Sequence, residues 1–205
     1  LKPPKFDCEI FNEAAKAKEE DGPRDEGSDR FLVFGLSKGT VIFIAVDNLE
    51  QIYSRFSIHR QQVESIFEMK RQKNMISICS ELSLSVWGFA HGKCQTYKYL
   101  QIYRLLSDLK VFQLPSRPHQ DLVFCAFKSG DTEMFLWDEE EKELFRLNSE
   151  KMDEHEDEIE SIDFLNRQGL FVTGGKDGYV KIWNIKKELI REIKFPDPIT
   201  AVQFQ

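Results

Sequence analysis

His155, Thr173, Asp177 and Trp183 include the parts of a proton-transfer device: an imidazole, a carboxylate to orient it and a hydroxyl for it to activate. The same residue types recur upstream as His59, Ser77, Glu81 and Trp87. Counted back from either Trp, the acid lies six residues away, the hydroxyl ten and the His twenty-eight. A hydrolase also needs an oxyanion site and a third group to orient its base, and two identical constellations would mean two active sites. Repetition therefore favours a structural reading over a catalytic one. No catalytic residue is assigned.

The stretch GGKDGYVKIWN, residues 174–184, raises a second chemistry, the cradling of a nucleotide phosphate. A phosphate loop requires Gly-x-x-x-x-Gly-Lys-Ser/Thr and a helix behind it. Read from Gly169, the lysine position holds Gly175, and Asp177 follows Lys176 where a hydroxyl is needed. Residues 179–184 alternate and are rich in aromatic and β-branched types, which predicts a strand. Asp177-Gly178 then reads as a tight hairpin turn, because Asp-Gly supplies the positive φ such turns require.

Metal chemistry finds no pattern. Cys8, Cys79, Cys94 and Cys125 are widely spaced with no Cys-x-x-Cys, which suits a reduced cytoplasmic chain with buried thiols. The acidic runs 151–160 (KMDEHEDEIE) and 138–143 (DEEEKE) lack the turn glycine of a calcium loop. They read as solvated loops that offer negative charge to a partner. No cofactor and no metal is expected. A net charge of −7 argues against nonspecific binding to nucleic acid or an anionic membrane. The apolar runs near 31–36 and 41–46 are far shorter than the roughly 20 residues of a membrane helix.

The elements that must position these residues are strands. In the last repeat they are predicted at 159–165, 170–173, 179–183 and 188–195. The second repeat gives 63–67, 75–80, 82–87 and 94–100, and the third 109–112, 122–127, 133–137 and 143–147. The third copy ends at Trp137-Asp138, with Asp131 six residues before the Trp, and with Phe127 and Leu109 where the hydroxyl and His would stand. A first, weaker copy runs through Ser37-Lys38-Gly39 to Ile44, with strands at 5–11 and 31–34 separated by a long charged loop, 12–30. The anchors at 44, 87, 137 and 183 lie 43, 50 and 46 residues apart.

On these residues, above all the Asp-Gly turn, Ile182-Trp183-Asn184 and the literal Trp137-Asp138, the chain resembles the WD40-repeat β-propellers, whose blades repeat every 40–45 residues or so. Asn184 and Gly88 depart from the usual Asp. The resemblance implies an all-β fold: a single partial propeller over 1–205, with about four blades of four antiparallel strands (5–56, 57–103, 104–152 and 153–195). Residues 199–205 would begin the next blade, and the remaining blades would be supplied by chain outside this segment. It implies a blade-corner network of His155, Thr173, Asp177 and Trp183, of His59, Ser77 and Trp87 with Glu81 in the Asp position, and of Asp131 and Trp137.

A propeller of this kind implies a non-enzymatic scaffold that binds other proteins in a multi-subunit assembly. Candidate contact residues are the cationic Lys70, Arg71 and Lys73 and the acidic Asp153, Glu154, Glu156 and Asp157. Phe89, Tyr97, Tyr99 and Tyr103 read first as packing between blades and second as a peptide-binding surface. The last repeat is also similar in character to large WD-repeat proteins of cilia and flagella, which implies an axonemal or microtubule-associated place in the cytoplasm. The alternatives are a substrate or signalling adaptor, such as a ubiquitin-ligase receptor, and the accessory propeller of a larger enzyme.

Overall fold

The computed structural model describes residues 30–50, 52–69, 74–90, 93–114, 117, 119–147, 153–165 and 168–205. Among the described residues the regular structure is entirely β, in four antiparallel sheets whose strands follow chain order. The first sheet has β1 (Phe31–Gly35), β2 (Thr40–Ala45) and β3 (Ile52–Ser57). The second has β4 (Val63–Met69), β5 (Asn74–Cys79), β6 (Ser83–Ala90) and β7 (Lys93–Gln101). β8 (Leu106–Gln113), β9 (Gln120–Phe127), β10 (Thr132–Asp138) and β11 (Glu143–Leu147) form the third, and β12 (Ile159–Leu165), β13 (Leu170–Gly175), β14 (Tyr179–Asn184) and β15 (Leu189–Lys194) the fourth. No helix among the described residues is long and apolar enough to cross a membrane. The strand expected at 5–11, nearly all of the loop expected at 12–30, and Lys70, Arg71 and Lys73 lie outside the described residues.

One turn recurs in all four sheets. Gly39, Leu82, Gly130 and Gly178 have φ of 73°, 58°, 83° and 76°. Each donates its amide to the carbonyl three residues back, on Leu36, Cys79, Phe127 and Gly175, at 3.0–3.2 Å. This is a type I turn closed by a left-handed residue. Glycine is required at three of the four for a second reason: a Cβ on Gly39 would collide with the His59 carbonyl, one on Gly130 with the His155 carbonyl, and one on Gly178 would lie 2.8 Å from the Phe195 carbonyl. Gly39 and Gly130 are thus pressed against the chain entering the next sheet, and Gly178 against the chain that leaves β15.

The chain divides into two compact units, 1–101 and 102–205. In the first, β1 lies beside β4, and Val41, Phe43, Phe56, Ile58, Val63 and Trp87 form the core, with Phe43 and Phe89 stacked at 4.1 Å. In the second, β8 lies beside β12, and Phe112, Phe124, Met134, Ile162, Phe171 and Trp183 form the core, with Phe124 and Phe171 4.4 Å apart. Fully burying each such side chain stabilises the fold by about 1.5–3 kcal/mol.

Residues 199–204, expected as the inner strand of a further sheet, form no strand ladder among the described residues. The Ile199 amide donates to the Gly175 carbonyl at 3.0 Å, that of Val202 to Ser161 Oγ at 3.3 Å and that of Phe204 to Asp163 Oδ2 at 2.6 Å. Side chains of β12 take two of these three amides, as Asp108 of β8 takes that of Ile162 in β12 at 3.1 Å. The packing also repeats that of β4 on the first sheet. Val63 N donates to the Leu36 carbonyl at 3.1 Å, as Ile199 does to Gly175. A Cβ on Gly35 would meet Val63 at 2.5 Å, and one on Gly174 would meet Ile199 at 2.5 Å.

Candidate functional site

The fourth sheet brings its four corner residues together. His155 precedes β12, Thr173 lies on β13, Asp177 in the turn and Trp183 on β14. Trp183 Nε1 donates to Thr173 Oγ1 at 3.0 Å, Thr173 Oγ1 lies 2.7 Å from His155 Nε2, and His155 Nδ1 lies 2.9 Å from Asp177 Oδ2. Ionised Asp177 can only accept, so Nδ1 carries the proton; in a neutral ring Nε2 is then an acceptor and takes the threonine proton, while the threonine oxygen accepts from the indole. The chain of bonds thus has one sense. Asp177 also accepts the amides of Glu156 at 3.1 Å and Tyr179 at 3.0 Å, fixing the turn to the loop that enters the sheet.

Protonation follows the same logic. Burial lowers the His155 pKa, and Asp177 offsets only part of that, so the ring is neutral. Burial pushes the Asp177 carboxyl up, but the Tyr179 amide, the His155 ring and the Glu156 amide outweigh it and hold it below the ordinary aspartate range. Thr173 and Trp183 are fully buried. The triad of groups that resembles a proton relay therefore ends on an indole in the core, and its hydroxyl is closed to solvent.

The second sheet repeats the arrangement with one change. His59 Nε2 lies 2.7 Å from Ser77 Oγ, to which Trp87 Nε1 donates at 2.9 Å. Glu81, expected in the Asp position, does not join. Its side chain is on an exposed turn, and its carbonyl accepts from Gln101 Nε2 at 2.5 Å. Ser83 Oγ stands 3.4 Å from His59 Nδ1 instead, with Cys79 Sγ at 2.9 Å from the same hydroxyl. A buried hydroxyl occupies this place at a far smaller desolvation cost than a carboxylate. Burial drives the His59 pKa down to about 4, against the opposing bond with Ser77.

In the third sheet the register overturns the expected residues. Cys125 pairs with Glu133 as Thr173 pairs with Lys181 and Ser77 with Ser85, so the equivalent of Trp183 and Trp87, two residues further on, is Phe135. Ile102 stands four residues before β8, as His155 stands before β12 and His59 before β4. The third corner is thus Ile102, Cys125 and Phe135, all buried, and not Leu109, Phe127 and Trp137. Ser129, one residue before the left-handed Gly130, holds the place of Asp177. Trp137 lies two residues past the corner and donates to Glu139 Oε2 at 2.9 Å, while Asp131 accepts from Arg104 at 3.1 Å and Ser129 at 3.0 Å. Burial pushes the Cys125 thiol up to about 12, so it stays protonated.

Beside the corners, one position is charged in opposite senses. Lys181 is buried and donates to the carbonyls of Asp153 at 2.7 Å and Glu154 at 3.0 Å. Its counterpart Glu133, also buried, is paired with Arg104 and Arg146, and Arg104 lies 4.3 Å over the Phe127 ring.

The acidic contact candidates divide. The Glu154 carboxylate accepts from Thr132 Oγ1 and pairs with Lys187, so it is absorbed by the fold. Asp153 has φ of 62° and contributes its carbonyl to Lys181. Glu156 and Asp157 are exposed, although Asp157 Oδ1 takes the Glu158 amide at 2.7 Å. Phe89 packs inward against Phe43, whereas Tyr103 is 76% exposed. No group of three or more His, Cys, Asp or Glu among the described residues is placed to hold a metal ion. No family model matches the chain, and a search of curated proteins finds no relative for it.

Proposed function

We propose that these sheets are blades of a partial WD40-type β-propeller, continued by further blades, and that the chain is a non-enzymatic cytoplasmic scaffold for protein–protein interactions in a large assembly. The observation that carries the reading is the bonded corner repeated in the second and fourth sheets, with buried hydroxyl and indole groups. Acid–base groups are spent there on joining strands, which leaves loops and sheet edges as the surfaces available to partners. A propeller hosts many functions, so the loops and not the fold decide among them. The narrower placement, an axonemal or microtubule-associated assembly of cilia or flagella, is supported only by the character of the last repeat.

Proximity labelling with the intact protein tests this. A reproducible set of protein neighbours above a tag-only control is expected, and axonemal members among them would support the narrower placement. Proteasomal or nuclear neighbours would replace it with the adaptor reading, and labelling no stronger than the control would end the scaffold reading.

A further inference from the structure

The loop entering the third sheet spends its buried contacts on alternate residues. Ile102 is buried, the Arg104 guanidinium turns inward over Phe127 and onto Asp131, and the Leu105 carbonyl accepts the Lys128 amide at 3.0 Å. The side chains between these anchors point the other way: Tyr103 is 76% and Leu105 55% exposed. Tyr103 also sits at φ 56°, a left-handed conformation that an aromatic residue adopts only under strain. The loop is held firmly, and the two apolar side chains it projects do nothing for the core.

The ledge continues into an acidic edge. Lys128 opens the turn that ends at Asp131, and within that turn Gly130 is pressed against the carbonyls of His155 and Asp157. In the adjoining loop Glu154 is neutralised by Lys187, and Glu158 by Lys176 and Lys128. Glu156 and Asp157 are exposed, and no cation among the described residues pairs with either.

We propose, resting on the protein-binding reading above, that this ledge docks an extended basic peptide segment of a partner, with an apolar side chain against Tyr103 and Leu105 and Lys or Arg beside Glu156 and Asp157. Tyrosine on a rigid support is a frequent energetic anchor of interfaces, and the acidic rim selects the sign of the partner's charge.

The test is fluorescence anisotropy on the full chain, using labelled short peptides of alternating Arg and Leu, Arg and Ser, and Glu and Leu. The Arg/Leu peptide binds best. Tyr103→Gly weakens it by about tenfold, a typical loss for a removed anchor, without lowering the unfolding midpoint, because glycine relieves the strained φ. Glu156→Gln with Asp157→Asn weakens binding and flattens its salt dependence. Leu105→Ser gives a second, independent loss should Tyr103→Gly fold poorly. Equal binding of the Glu/Leu peptide, or Arg/Leu affinity unchanged in Tyr103→Gly and Leu105→Ser, overturns the ledge. If the intact protein still labels neighbours in that event, only the ledge falls; if it labels none, the scaffold reading falls with it.

Discussion

The corners of the fourth and second sheets set the same imidazole against the same kind of hydroxyl and the same indole, yet only the fourth faces a carboxylate. Asp177 lets the fourth corner bind its turn and its entry loop through one charged group. The second corner ends on the Ser83 hydroxyl, with Cys79 Sγ beyond it. The third has abandoned bonding: Ile102, Cys125 and Phe135 replace all three members together. That joint replacement is what the energetics require. Deleting one partner strands a buried polar group, whereas exchanging the whole set for apolar groups is close to neutral. Bonded and apolar corners are thus two stable solutions, and mixtures of them are the costly state.

The largest expected effect tests the equivalence of the two bonded corners. Trp183→Ala and Trp87→Ala each remove a fully buried indole and leave a hydroxyl without its donor, costing about 3–5 kcal/mol in urea unfolding. Because the chain has two compact units, each loss is read on the transition of the unit concerned. A loss below about 1 kcal/mol at either Trp breaks the comparison.

Acid separates the same two corners. The folded-state pKa of His59 lies at about 4, below its ordinary 6.5. The unfolded chain therefore binds its proton first as pH falls. The stability contributed by neutral His59 is complete above about pH 6.5 and is lost progressively down to about pH 4, an upper bound of about 3 kcal/mol. His155 is shifted in the same direction, but Asp177 offsets part of the burial cost, so its loss is smaller. NMR titration of the imidazoles checks both, and Ser83→Asp, which gives His59 a carboxylate, moves its titration upward. If His59 and His155 titrate together near 6.5, the contrast between the corners is wrong.

A smaller effect probes the apolar corner. Cys125→Ser puts a hydroxyl where the Ile102 side chain can offer no hydrogen bond, and costs about 1–3 kcal/mol for the unsatisfied group. Thr173→Cys in the fourth sheet makes the reciprocal mixture and destabilises as well. A stabilised Cys125→Ser variant would show that the third corner has a polar partner after all.

How far the sequence could be read follows from these three corners. Strands with alternating apolar residues and an Asp-Gly turn, such as β13 and β14, announce themselves, because period and turn chemistry agree. His155 and Thr173 were legible because their spacing repeats at His59 and Ser77. The third corner was not, because the Trp137-Asp138 pair draws the alignment two residues off the position that Phe135 fills, and nothing marks Ile102 or Cys125 as members of a set. Glu81 misled for a different reason: it has the right charge and spacing, but burying it would have cost more than the Ser83 hydroxyl. At 199–204 the apolar pattern marks a strand, and a strand forms only by pairing, which is not a local property.

The smallest effect lies one residue from one of the larger. Lys176 and Asp177 are neighbours in the same turn, but the Asp177 side chain is 4% exposed and bonded to His155, while Lys176 is 45% exposed. Lys176 pairs with Glu158 at 2.5 Å and Glu160 at 3.0 Å, and these contacts raise its pKa, yet pairs in solvent contribute little to stability. Glu158 also keeps Lys128 as a second cation at 3.6 Å. Lys176→Ala is therefore expected to leave the unfolding midpoint unchanged within error at low and high salt, and to change no nucleotide affinity. Asp177→Ala, which strands the His155 Nδ1 proton and two backbone amides, destabilises measurably. Should the order be reversed, with Lys176→Ala abolishing a nucleotide affinity and Asp177→Ala silent, the turn would have to be a phosphate cradle and not the corner of a sheet.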